Sequence, residues 1–558
     1  MRCWWEWEKC IDIDNDYAPT DCNLTDDVTE DFDLDEKALR QLQIDDPNMY
    51  GLNINRENWI EGAGSAIGRS KDLVKLVIDI DAPDSVSDSD EDEDEKYERW
   101  VVDIFQGLSH NQSIRTFHLT GAQSYAIPGL NRHDLGDFIG RNSTLQSVNV
   151  SFLSEKSFEE FVSALIGCKG SNLKRLEVNN CVITDAMGAR FFESLEDHHN
   201  LLELYFYSNE MESMKQSGPA LSKLLKLHAS KIHHILICGK KRWLSWCDDC
   251  IVDLSAALEV NTTLSSLTVE FQDATRSWRS FSRALSKTEC SLKWLDLSDN
   301  KMDDDAMTCL GDGLATNTTL QYLNISENSD ITVEGWQGFV TCFRNPLSAL
   351  KRININSCNI RDEGAFAFAS ALANNSTLAS LHMARNRISS TGWVLFFNTL
   401  LTSNSSFEHL TLHDNELTEK ICWDALACTI CDASSIESIF SSNHSFFNIG
   451  SFYYPIDELV KDAPDNVRSL LGLNNLSCEE AARRKILKYY FSGGNRNLHE
   501  FSRMPMTSMP FAVEWIGRNK PGFSLMYSLV QSNPSVFAPG PLSAVRKRKR
   551  KGRRRQKV

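Results

Sequence analysis

One pattern recurs along most of this chain and limits what the chain can fold into. Leu292-Lys-Trp-Leu295-Asp-Leu297-Ser-Asp-Asn300 returns as Leu320-Gln-Tyr-Leu323-Asn-Ile325-Ser-Glu-Asn328. Leu350, Ile353, Ile355 and Cys358 repeat it, as do Leu378, Leu381, Met383 and Asn386, and Leu173, Leu176, Val178 and Cys181 form an earlier copy. Looser copies start at Leu73, Ile114, Leu145, Leu201, Ile232, Leu264, Phe407 and Ile436. The thirteen anchors stand 41, 31, 28, 28, 31, 32, 28, 28, 30, 28, 29 and 29 residues apart. A sustained period of this size marks a stacked array, not a set of unrelated globules.

Each unit has two halves. The L-x-x-L-x-L half alternates, which predicts a short strand with Leu295 and Leu297 pointing into the core. The following Asn or Cys falls where the chain turns away, and its side chain can satisfy backbone groups that a tight turn leaves unpaired. The second half has helical spacing, as in Gly188, Ala189, Phe192 and Leu195, or Ala365, Ala369 and Leu372. The unit closes on Asn-Ser/Thr-Thr-Leu, at Asn142–Leu145, Asn261–Leu264, Asn317–Leu320 and Asn375–Leu378. There Asn is expected to accept a left-handed helix end and the hydroxyls to cap the turn.

A strand-plus-helix unit of 28–29 residues resembles the leucine-rich repeats of the ribonuclease-inhibitor type, over roughly residues 50–445. The resemblance implies an α/β fold, a leucine-rich-repeat solenoid or horseshoe. Parallel strands would line the concave face and helices the convex face. Strands ~4.8 Å apart against helices ~8–10 Å apart require that curvature. The expected organisation is an acidic, mostly disordered arm at 1–48 and the solenoid at 49–450, with an acidic loop at 84–98. A helical C-terminal region at 451–538, capping the last repeat, and a disordered basic tail at 539–558 complete it. Ser477-Cys-Glu-Glu480 reads as a capping box that starts one of those C-terminal helices.

The strand residues between the inward leucines face the concavity. Tyr, Trp and Arg are the types that anchor protein interfaces, so Tyr205, Tyr207, Trp294, Tyr322 and Arg352 are the candidate contacts for a protein partner. Other motifs fall short of chemistry. Gly62-Ala-Gly-Ser-Ala-Ile-Gly68-Arg-Ser-Lys71 lacks phosphate-loop spacing and precedes a strand, so it reads as the helical half of a unit. Two C-x-x-C pairs, Cys247/Cys250 and Cys428/Cys431, are too far apart for one zinc ribbon. They read as inward cysteines, and the lengthened repeat around Trp243–Cys250 as a local recognition feature. His409 and His413 lie ~13 Å apart on one strand, too far to share an ion with His382. No catalytic constellation stands out and no cofactor or metal is expected, so the chain is expected not to be an enzyme.

Charge divides the chain. The formal net charge is -18, from 58 basic and 76 acidic residues, and the tail is basic while the body is strongly acidic. Bulk nucleic-acid binding by such a body is disfavoured, leaving at most weak contact through the tail. Arg546, Lys547, Arg548, Lys549, Arg550, Lys551, Arg553, Arg554 and Arg555 resemble a nuclear localisation signal, which implies an import receptor as partner and the nucleus as location, with cytoplasm as the alternative. Ser85, Ser87 and Ser89 each precede an acid by three residues and are candidate phosphorylation sites. The sixteen scattered cysteines read as reduced thiols, and no apolar run is long enough to span a membrane.

The function expected from these features is a protein-binding scaffold or adaptor that uses its concave face, with nuclear placement following from the tail. The alternative is an enzyme-regulating protein resembling the Ran GTPase-activating proteins, which use the same repeat type. That family carries its acidic stretch after the repeats, whereas here the acids come first. A third reading resembles the repeat arrays of immune sensors, without their nucleotide-binding module in this sequence.

Overall fold

The computed structural model describes residues 32–489, with breaks at 44–48, 56–57, 81–90, 122–131, 240–243, 272–275, 401–403, 417–419 and 450–462 and at a few isolated positions. Among the described residues, fourteen strands form one parallel sheet in strict chain order. They are β1 Phe32–Asp33, β2 Gly51–Asn55, β3 Lys75–Asp79, β4 Thr116–Thr120, β5 Ser147–Ser151, β6 Arg175–Asn179 and β7 Glu203–Asn209, then β8 His234–Gly239, β9 Ser266–Val269, β10 Trp294–Asp296, β11 Tyr322–Asn324, β12 Arg352–Asn354, β13 Ser380–His382 and β14 His409–Thr411. A helix follows every strand, and successive helices pack on one another. The sequence period therefore becomes a spatial period of one strand and one helix per unit.

Pairing is in register with the repeat. Trp294, Leu295 and Asp296 face Tyr322, Leu323 and Asn324, which face Arg352, Ile353 and Asn354. Leu295, Leu297, Leu323, Ile325, Ile353, Ile355, Leu381 and Met383 are fully buried between sheet and helices, as their spacing requires. After each of several strands one residue adopts a left-handed conformation: Asn180, Asp299, Glu327, Ser357, Arg385 and Asp414. The next residue is the Cys or Asn of the pattern, buried at Cys181, Asn300, Asn328, Cys358 and Asn386 and half-buried at Asn415. Asn328 accepts the Asn300 and Met302 N–H groups at 2.9 and 3.1 Å and donates to the carbonyls of Leu297 and Ile325 at 3.1 and 2.8 Å. Asn386 holds Cys358, Ile360 and Ile355 in the same way. The expected satisfaction of turn groups is thus made between units as well as within one.

The closing Asn does something different from what its sequence position suggests. Asn142, Asn261, Asn317 and Asn375 are not in the left-handed region. Each is buried, and its Oδ1 accepts two backbone N–H groups of its own turn. Its Nδ2 donates to a carbonyl of the preceding unit; for Asn317 that is Leu285, at 2.7 Å. Asn is required here because one side chain must both accept twice and donate across a repeat boundary. The hydroxyls do cap as expected: Thr144 Oγ1 reaches the Ile114 carbonyl at 2.9 Å.

Several expectations are corrected. Residues 32–43, assigned to the disordered arm at 1–48, hold β1 and the helix Glu36–Gln43. Leu34, Ala38 and Leu42, four residues apart, are buried there, and Asp35 Oδ1 accepts the Ala38 N–H to start the helix. The acidic run at 84–98 is not all loop, because the helix Glu91–Leu108 begins inside it. The anchor at Ile436 begins a helix, Ile436–Ser441, and not a strand. The chain instead returns to the sheet at Asn448, whose carbonyl accepts the Leu410 N–H at 2.9 Å.

The described residues form two compact units. The first runs to Cys422 and takes in Asn448 and Ile449; the second holds Trp423–Phe447 and the residues from Ala463 onward. The second begins earlier than the boundary expected at 451, because Ile436 does not start a repeat. Its helices include Ile436–Ser441, Asp465–Asn474 and Cys478–Ile486, and the last opens at the expected capping box, with Ser477 Oγ accepting the Glu480 N–H at 3.4 Å. Ser85, Ser87 and Ser89, residues 490–538 and the tail 539–558 with Arg546 to Arg555 lie outside the described residues.

Candidate protein-interaction face

The strand side of the sheet is built in columns, since equivalent residues of successive strands are direct neighbours. Tyr205, Tyr207, Trp294, Tyr322 and Arg352 all lie on strands of this face, but the structure gathers them into two separate clusters. It also corrects their expected exposure. Tyr205 is 7% exposed and Tyr322 6%, while Tyr207, Trp294 and Arg352 are half-buried. Large side chains in adjacent columns cover one another.

The first cluster spans β6 to β8. The Arg175 guanidinium lies 4.3 Å from the centre of the Tyr205 ring and bridges Glu203 at 3.4 Å and Glu177 at 3.5 Å. Tyr207 donates its hydroxyl to Glu177 at 2.6 Å and Tyr205 donates to Glu203 at 3.3 Å. The His234 ring sits 4.9 Å from the Tyr205 ring. Burial, and then the Glu177 carboxylate, push the Tyr207 hydroxyl up, so it remains a donor. Burial and then Arg175 pull His234 down to about 3, so it stays neutral at ordinary pH. The result is a fixed, mixed-charge patch whose polar groups are already oriented. Arg175, Glu177, Glu203 and His234 were legible as face residues, but not as partners of the tyrosines.

The second cluster spans β10 to β12. Trp294 and Tyr322 stack with ring centres 3.7 Å apart and planes 18° apart, and Arg352 occupies the next column position. Beside them Asp296 is buried and accepts from Ser298 N at 2.9 Å, Ser298 Oγ at 2.7 Å and Asn324 Nδ2 at 2.9 Å. Burial raises its carboxyl, against the lowering effect of those three donors. Further along, Ser380 Oγ lies 3.1 Å from His409 Nδ1 and 3.3 Å from His382 Nε2. Burial, then the neighbouring His409, hold His382 well below its usual range. Among the described residues no His/Cys/Asp/Glu group is arranged to hold a metal ion.

A family model for the leucine-rich repeat matches residues 289–311, 316–340 and 348–369, the units built on β10, β11 and β12. This is a leucine-rich-repeat protein. The repeat chain is 26% identical over 382 residues to "NACHT, LRR and PYD domains-containing protein 5" of Mus musculus, covering 63% of this chain and 32% of that protein. It is 30% identical over 185 residues to "NACHT, LRR and PYD domains-containing protein 4C" of Mus musculus, covering 33% of this chain and 19% of that protein. The chain therefore spans about a third or less of the length of these relatives. In the crystal structure of the Rad7 and Elc1 complex in yeast, a chain aligns with 69% of this one and 81% of its own length, at 16% identity and a TM-score of 0.38, from which nothing further follows.

Two remaining motifs of the leucine-rich-repeat array find structural roles. The glycine-rich stretch is the helix Ala63–Arg69, packed on Glu91–Leu108, as its reading as the helical half of a unit requires. The C-x-x-C at Cys247 corrects the expectation of reduced thiols: Cys247 and Cys250 form a disulfide across the first turn of the helix Asp248–Leu258. Three residues of separation at a helix start bring their Cα atoms to 5.3 Å, within bridging range. No described helix is long and apolar enough to cross a membrane.

Proposed function

We propose that this chain is a non-enzymatic, protein-binding scaffold that grips its partner on the strand-side face, and that it acts in the nucleus. The observation that carries the binding reading is the column Trp294, Tyr322, Arg352. A stacked aromatic pair, with an arginine at the next register position, is held in place by the sheet before any partner arrives. Side chains already ordered lose little entropy on binding, and Trp, Tyr and Arg are the types that dominate interface energies.

The test must separate binding from folding. Tyr322 is buried, so truncating it disturbs the array itself; Trp294 and Arg352 are half-buried and are the better probes. Proximity labelling with the unchanged protein identifies candidate partners. Purified partner is then titrated against Trp294→Ala and Arg352→Ala, each checked for an unchanged melting temperature. Loss of ~10-fold or more in affinity by either variant supports the reading, in line with a hot-spot cost of ~1.4 kcal/mol or more. Undiminished binding by both removes this column as the anchor.

The nuclear part rests on the density of basic residues in Arg546 to Arg555. Deleting 546–558 from a tagged protein shifts it out of the nucleus if an import receptor reads this tail. A nuclear distribution that survives the deletion overturns the localisation.

A further inference from the structure

The disulfide at Cys247 and Cys250 is placed differently from the other described cysteines. Cys247 is the N-cap of the eleven-residue helix Asp248–Leu258, half-buried, and its Sγ accepts the Cys250 N–H at 3.4 Å. Cys250 lies one turn in and is buried. A helix N-terminus favours a thiolate on its capping residue through the aligned backbone dipoles and the free N–H groups. The flanking Asp248 would oppose this, but its carboxylate is committed to the next unit. It accepts from Arg276 N and Ser277 N at 3.2 Å and from Ser277 Oγ at 2.8 Å. Asp249 is exposed to solvent.

Hydrogen-bond partners for both sulfurs already stand beside the bridge. Once the bridge opens, the Cys247 thiolate keeps the Cys250 N–H, and the Cys250 S–H has the Met214 carbonyl at 3.4 Å. The buried cysteines elsewhere contrast with this. Burial pushes Cys168, Cys181 and Cys358 up to about 12, which leaves them protonated and inert.

We propose that Cys247 and Cys250 form a redox-active dithiol that exchanges with low-molecular-weight disulfides such as glutathione disulfide. The Cys247 thiolate attacks one sulfur of the glutathione disulfide, forming a mixed disulfide and expelling one glutathione thiolate. Cys250 then attacks Cys247 Sγ, closing the protein bridge and expelling the second glutathione thiolate, which takes up the Cys250 proton as it leaves. Two electrons pass from the protein dithiol to the glutathione disulfide, and the reverse sequence reopens the bridge. The half-buried sulfur is the attacking one, and the buried sulfur resolves the intermediate.

The full chain is equilibrated in mixtures of reduced and oxidised glutathione, quenched with acid and alkylated, and the peptide holding both cysteines is weighed. The expected result is a reversible passage from dithiol to disulfide across the series. In Cys250→Ser the mixed disulfide cannot resolve, so glutathione accumulates on Cys247. In the reduced protein, Cys247 is alkylated ~10-fold or more faster than the exposed Cys428 and Cys478 at neutral pH. A peptide that stays bridged at every ratio marks a structural staple and overturns the proposal. So does one that stays reduced throughout, or a Cys250→Ser protein that captures no glutathione. Should that variant fail to fold, the titration of the unchanged protein decides alone.

Discussion

A single buried lysine shows how far side-chain chemistry can depart from its ordinary range in the second unit. Lys485 is fully buried and donates to the carbonyls of Ile430 at 2.7 Å and Asn443 at 3.3 Å. His444 Nε2 lies 2.8 Å from the Ile439 carbonyl, so its Nδ1 is the acceptor 3.0 Å from Lys485 Nζ. Burial pulls Lys485 from 10.5 to about 8, only partly offset by Cys431 and Cys478, and pulls His444 to about 4. The ammonium at least meets the carbonyl end of the helix Lys420–Ile430, which carries partial negative charge. A lysine depressed in the folded state sheds its proton there first as pH rises. Between pH 8 and 10.5 the unfolded state holds more protons, so stability rises with pH across that window and the gain is absent below it. The size is at most ~3 kcal/mol. Urea unfolding of the unchanged protein and of Lys485→Met at the two ends of the window measures the difference. The unchanged protein gains relative to the variant; parallel responses would mean that this amine does not titrate there.

At the scale of elements, helix spacing is set by glycine where two helices touch backbone to backbone. A Cβ on Gly64 would collide with the Asp103 carbonyl, one on Gly107 with the Gly64 carbonyl, and one on Gly68 would come within 2.7 Å of the Gly107 carbonyl. Alanine normally improves a helix by ~0.5–1 kcal/mol over glycine. Gly107→Ala should instead destabilise by ~2–3 kcal/mol, because the helices must separate. Gly472→Ala, with nothing within 4 Å of the added carbon, should show the ordinary gain. Thermal melts of the two variants should therefore move in opposite directions, and movement in the same direction contradicts the close crossing. Gly64 and Gly68 belong to the stretch that looks like a phosphate loop, and only the failed spacing and the following strand tell against that reading. Elements of this kind were largely legible, because the repeat prints its period in leucines that have to be buried. The exception is instructive: Ile436 continued the count of 29, yet the true equivalent of Asn404-Ser-Ser-Phe407 is Asn443-His-Ser-Phe446. In both, the Asn Oδ1 accepts N–H groups two and three residues on. The Asn clamp was the better marker of register than the apolar anchor. The face was less legible than the elements. Alternation says which side of the sheet Tyr205 occupies, but not that Arg175, one strand earlier, would fold over its ring. Helix-start acids were missed for the same reason. Asp185, Asp304 and Asp362 each accept from a hydroxyl and a backbone N–H of the next unit, at Ser217, Thr332 and Ser389. Their recurrence at a fixed place in the unit was the available signal.

At the scale of the whole array, every link described joins a unit to its immediate neighbours: the strand ladder, the Asn328 and Asn386 turns, the Asn317 clamp and the helix-start acids. Stability is then a sum of unit terms and nearest-neighbour terms, with no single core that all units share. Leu323 sits at the centre of β11, fully buried, between Leu295 of β10 and Ile353 of β12. Truncating it to alanine removes packing from its own unit and from both of its neighbours, at a cost of ~2–5 kcal/mol. In a nearest-neighbour system that cost stays local, so it should appear as faster opening of a stretch of chain and not as uniform loosening. Native-state hydrogen exchange of Leu323→Ala is expected to show lost protection in β10, β11 and β12, with β3, β4 and β5 unchanged. Equal loss in both regions would mean that the sheet opens as one cooperative block. A loss below ~1 kcal/mol at β11 would mean that Leu323 does not fill the core position that its register assigns.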